Sequence, residues 1–136
     1  LTVAIHAFGT TYWMRHLSRR YGDGEGHFRA HATLPVVTWT ALVLLTLHIV
    51  QVTLWALAYL YLVPDNQLMT LEAAVYFSVV TFTTLGYGDI TLQPEWRLLS
   101  GVEALNGALL VGWTTAMFFL IIQRGWQSAA RSRARE

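Results

Sequence analysis

From Ala30 to Pro64 no Asp, Glu, Lys or Arg interrupts the chain, and the stretch from Pro35 to Val63 is almost wholly apolar. About 20 helical residues cross the roughly 30 Å hydrocarbon core of a bilayer, so a membrane-spanning helix is predicted over 35–63. Thr33 stands where an N-cap belongs, and Pro35 suits a first helical turn. Tyr59 and Tyr61 fall near the far end, where amphipathic rings favour the membrane interface. A second apolar run predicts a spanning helix over 96–122, with one internal charge, Glu103, and glycines at 101, 107 and 112. Glycine is commoner in membrane helices than in soluble ones, because it permits close packing or bending.

Between the two spans Thr70 can cap a helix that begins at Leu71, with Glu72 at its positive end. The chain is uncharged from Ala73 to Gly88. A helix over 71–82 would nonetheless cross only about half a bilayer at 1.5 Å per residue. The pattern predicts a re-entrant helix followed by non-helical backbone, which is tolerated at membrane depth only when buried in protein or lining a watery path. At the start, residues 1–17 read as an apolar helix with too few residues before Arg15 to span. It is either part of a third span or an interfacial helix whose Thr2, His6 and Thr10 form a polar stripe; the partial span ranks ahead. Residues 18–34 then form a linker and 124–136 a short charged tail.

Eight of the nine basic residues, all arginine, flank the pair of spans on one side: Arg15, Arg19, Arg20 and Arg29 before, Arg124, Arg131, Arg133 and Arg135 after. Arg97 alone lies on the other. The positive-inside rule places both ends of the unit in the cytoplasm and brings the re-entrant segment in from outside. Only 12% of residues are charged, against about 25% in soluble domains. With a net charge of +1 and no cysteine, neither a nucleic-acid surface nor a disulfide or thiolate site is implied. No paired carboxylates or nucleophile–base set falls together, so the chain reads as no enzyme, with no cofactor and no small-molecule substrate.

The non-helical stretch is TTLGYGD, Thr83 to Asp89. A bare cation entering hydrocarbon needs its hydration shell replaced, and carbonyls can do so if successive ones face one way. Left-handed backbone at alternate residues achieves that, and glycine takes such angles without a Cβ penalty; Gly86 and Gly88 are spaced for it. This heptad, in this setting, closely resembles the selectivity-filter signature of the potassium channel pore-domain family. The resemblance covers roughly residues 35–123. It implies an all-α membrane protein, two transmembrane helices flanking a re-entrant pore helix and filter, working as a homotetramer in the plasma membrane, with potassium ions as the transported species.

Residue by residue, the resemblance makes Thr84, Leu85, Gly86, Tyr87 and Gly88 the potassium-ligating strand, through backbone carbonyls and the Thr84 hydroxyl. Leu85 stands where the family more often has Val or Ile. Thr83 and Asp89 flank the strand, and Tyr76 and Phe77 are placed to form an aromatic cuff for Tyr87, with Tyr76 in reach of Asp89. Val80 occupies a position where some bacterial channels carry a glutamate paired to the filter aspartate. Gly107 resembles the inner-helix gating hinge, although a close-packing glycine without a hinge role serves the pattern equally. Val111 and Thr115 would line the cavity. Glu103, an acid inside a span, is expected to hydrogen-bond behind the pore helix rather than face the cavity. His48 is expected to bond within the helix packing. The alternatives to potassium selectivity are a weakly selective cation channel and a non-conducting scaffold or accessory subunit.

Overall fold

The computed structural model describes residues 1–22, 33–64 and 68–133. Among the described residues the elements are four helices: α1 (Thr2–Tyr21), α2 (Thr33–Leu62), α3 (Leu71–Phe82) and α4 (Arg97–Arg133). Among the described residues α2 and α4 are the two helices long and apolar enough to cross a membrane, yet only 22% of each apolar window is buried. A core helix of a soluble protein would be mostly buried. Here Trp39, Leu45 and Ile49 stand outward while Thr40, Gln51, Ser78 and Glu103 are fully enclosed. Apolar side chains facing outward, with polar ones enclosed among the core residues, suit a protein whose solvent is hydrocarbon.

Several boundaries differ from the sequence-based expectation. Helix α1 runs through Tyr21, past the expected end at 17 and into the expected linker; Arg19 and Arg20 sit in its last turn, where cations favour the negative helix end. The rest of that linker, 23–32 with Arg29, lies outside the described residues, as does Arg135. Thr33 is the first residue of α2 and not a cap outside it. Helix α4 continues through Arg133, well beyond 122. No proline interrupts its tail, so the turn-by-turn hydrogen bonds simply continue.

The chain forms two compact units, whose boundaries fall inside α2 and α4. The first comprises Val3–Leu47 and Trp113–Glu136. Its core is Leu17, Val36, Leu44, Met117 and Ile121, with Trp13 and Phe118 against them. His6 and Thr10 on α1 are buried, whereas Phe8 and Tyr12 stand out. Thr2, His6 and Thr10, the stripe on which the interfacial alternative rests, are all buried. His6 packs edge-on to Trp113 with ring centroids 5.6 Å apart, and its Nε2 lies 3.4 Å from the Thr114 hydroxyl.

The second unit is Thr2 with His48–Gly112. It packs Tyr59, Val63, Leu68, Phe77 and Leu92 in one cluster and Val52, Phe82 and Leu110 in another. Tyr59 is fully buried while Tyr61 is exposed, so only Tyr61 takes the outward position expected of both. The hydroxyl of Tyr59 finds its partner inside the protein.

Candidate functional site

Helix α3 is held at both ends by its own sequence. At its start the Thr70 hydroxyl accepts from the Ala73 amide at 3.1 Å, with Glu72 in the first turn. At its end the Thr84 amide donates to the Thr81 carbonyl at 2.9 Å and the Leu85 amide to the Val80 carbonyl at 2.9 Å. That pair of bonds is the Schellman closure, which calls for a left-handed residue just past the helix. Thr84 supplies it with φ 59°. A β-branched residue there costs roughly 1–2 kcal/mol that glycine would not, so the position favours glycine on backbone grounds alone.

Beyond Thr84 the hand alternates. Gly86 and Gly88 have φ 61° and 77°, whereas Leu85 and Tyr87 keep negative φ. Glycine spacing predicts two left-handed positions; the third, Thr84, is not legible from residue type. Residues 83–89 are all exposed in the single chain. The Thr83 hydroxyl turns back to the Val79 carbonyl at 2.7 Å.

The far end of this stretch is tied to α3. Tyr76 donates its hydroxyl to Asp89 Oδ2 at 2.6 Å, and the other carboxylate oxygen accepts from the Ile90 amide at 3.0 Å. Asp89, outside the spanning helices, has its pKa lowered chiefly by the Tyr76 bond. Phe77, the other residue expected in the cuff, has a partner within the single chain. It is buried and meets Tyr59 edge-to-face at 5.0 Å between centroids, whereas Tyr87 is 67% exposed. Neighbours on a helix are about 100° apart, so within one chain Tyr76 turns to Asp89 while Phe77 turns to Tyr59.

Behind α3 lies a polar brace across three helices. Glu103 of α4 is fully buried; it accepts from the Tyr59 hydroxyl of α2 at 2.6 Å and bonds Ser78 of α3. Ser78 also lies 3.0 Å from the Val52 carbonyl. Val80 is buried and apolar, so the acid behind the pore helix comes from α4 and not from α3 itself. One turn on, Asn106 Oδ1 accepts from Thr2 at 2.8 Å and from the Trp55 indole at 3.3 Å. Sequence pattern did not single out Ser78 or Asn106; a small hydroxyl in the middle of an apolar half-helix was the available signal. His48 lies 3.1 Å from Gln51, a bond within its own helix.

Gly107 sits with its Cα against the backbone of Phe82, and a Cβ there would collide with the Phe82 carbonyl oxygen. The site therefore has a packing reason for glycine, whatever its part in bending. Val111 is exposed on α4 in the second unit, and Thr115 is exposed in the first. No group of three His, Cys, Asp or Glu side chains that could hold a metal occurs among the described residues.

Two apolar spanning helices, a half-length helix between them and an exposed loop of alternating hand define a membrane pore unit. Residues 38–124 match a family model described as an ion channel, and the chain belongs to that family. Comparison with curated proteins and with solved structures gives no match.

Proposed function

We propose that the chain is one of four identical subunits of a potassium-selective channel, conducting passively through a pore on the fourfold axis. The observation that carries this is the alternation of left-handed residues at Thr84, Gly86 and Gly88. Alternating hand turns successive carbonyls to one side, which an all-L ribbon of one hand cannot do. One strand supplies a quarter of each oxygen ring, so four copies complete it. The Thr84 hydroxyl adds a further ring below the carbonyls. Its retention despite a left-handed backbone is accounted for by that use of the side chain, since glycine would close the helix more cheaply.

Asp89, held by Tyr76, fixes the outer mouth, and the Glu103 brace fixes the pore helix from behind. Arginine placement supports a plasma-membrane setting with both ends of the pore unit cytoplasmic. Lipid on the outward faces of α2 and α4 accounts for their exposed apolar side chains. Tyr87 is the aromatic associated with discrimination against sodium. The test is the reversal potential of purified protein in liposomes under opposed potassium and sodium gradients. Tracking of the potassium gradient is expected; equal permeability would make it a weakly selective cation channel, and absence of flux a scaffold.

A further inference from the structure

Helix α1 precedes the residues matched by the ion-channel family, and the pore does not account for it. Between α1 and the second half of α4 runs an open groove of about 710 Å³, within the roughly 300–1,000 Å³ of ligand clefts. Its inner wall is apolar, from Trp113, Ala116, Met117 and Leu120 of α4. Its other wall is α1, which contributes Arg15 and Arg19, one turn apart, together with the Ser18 hydroxyl. Among the described residues no acidic side chain lines it. Arg124 follows Leu120 by one turn of α4, so the groove leads toward the level where that helix too becomes cationic.

We propose that this groove binds an anionic phospholipid from the leaflet on the arginine-rich side. An acyl chain would lie along Trp113, Met117 and Leu120, where apolar side chains otherwise face open space. The headgroup phosphate would meet the guanidinium groups of Arg15 and Arg19, with Ser18 as a neutral donor. Planar guanidinium forks suit phosphate oxygens and are weakly hydrated for cations. Long arginine side chains at a helix end also reach the headgroup level while their stems stay in hydrocarbon. Basic pockets between membrane helices have the chemistry that holds anionic headgroups. A neutral zwitterionic lipid satisfies the apolar wall but leaves the arginine pair without its counter-charge.

The experiment uses the full chain, incorporated in parallel into vesicles of phosphatidylglycerol and of phosphatidylcholine with the same acyl chains, then released and weighed by native mass spectrometry. Retained lipid is the readout, so the result does not depend on ion selectivity. Wild type is expected to retain phosphatidylglycerol in preference, by about thirtyfold for two arginines near the surface. R15Q/R19Q should lose that preference, while R20Q, whose arginine does not line the groove, should keep it. A116W leaves both charges in place but fills the groove, and should release the lipid as well. Retention by A116W equal to wild type would reduce the effect to surface charge and overturn the proposal. So would preference unchanged in R15Q/R19Q, or competition of the lipid by inorganic phosphate alone. Loss of subunit association in A116W, with no lipid on the wild type, would place a second copy of the chain in the groove instead.

Discussion

The two compact units bury polar side chains in different ways. In the first, Thr10 and Thr40 return their hydroxyls to their own helices, at the carbonyls of His6 and Val36, each at 2.7 Å. A bond that crosses between helices there, Trp13 to Thr40 at 2.9 Å, joins two neutral groups. In the second unit, Glu103 draws together side chains from three helices. Self-satisfied hydroxyls let helices adhere without fixing their register. A carboxyl that needs donors from two other helices fixes all three at once, which suits a region that must hold a short helix and its loop in one place.

The difference is sharpest at Glu103. Glu103→Ala would orphan the Tyr59 hydroxyl and free Ser78, and a buried group left without its partner costs about 1–3 kcal/mol. Thermal unfolding in detergent, followed by tryptophan fluorescence, should show the largest loss of any substitution considered. Glu103→Gln keeps an acceptor for Tyr59 and should lose less. Equal melting for Glu103→Ala and wild type would remove the contrast between the units.

Gly107→Ala comes next, because the added Cβ meets backbone that cannot rotate away; overpacking of this kind costs roughly 1–3 kcal/mol. Gly101→Ala and Gly112→Ala are the controls, since nothing lies within 4 Å of a Cβ at either position. Helical alanine there should be neutral or stabilising. A pure hinge role would instead leave Gly107→Ala as stable as Gly112→Ala while slowing channel opening.

A smaller effect is expected at Asp89, where the loop of alternating hand ends. Tyr76→Phe removes only the oxygen that donates to Asp89, so fold and subunit association should persist. The lowered pKa of Asp89 means that its stabilisation holds above the ordinary carboxylate range and is lost as pH falls through the lowered value. Removing the donor raises that pKa, so open lifetimes should shorten on external acidification at a higher pH than in wild type. Single-channel recording across an external pH series measures this. An unchanged pH profile, with Asp89→Asn shortening openings, would assign Asp89 to another partner. The smallest effect belongs to the first unit: Thr10→Val should change melting by under about 0.6 kcal/mol, because its hydroxyl serves its own helix.

Helix α3 is legible in the sequence to the residue, since Thr70 caps one end and TTLGYGD closes the other. The spanning helices are legible for a different reason, long runs without charge. Their ends are not: nothing in the arginine-rich tail forces α4 to stop, and a polar composition suits a solvated helix as well as a loop. Within the site, Gly86 and Gly88 announce left-handed backbone, while Thr84 adopts it because the helix closure demands it. Glu103 is visible as an acid in a span, but its partners are 25 and 44 residues away. Local periodicity cannot choose which helix face meets which. The turn of Phe77 toward Tyr59 has the same origin.

The inward polar side of α1 bears on the order in which the protein is made. His6 meets Trp113 and Thr114, the latter 108 positions further along the chain. While α1 is emerging, those partners do not yet exist, and a helix of its composition does not pass as a span among the described segments. Its histidine would therefore stay hydrated until α4 arrives to cover it. Helix α1 is made long before the helix that covers its polar side, and settles only with it.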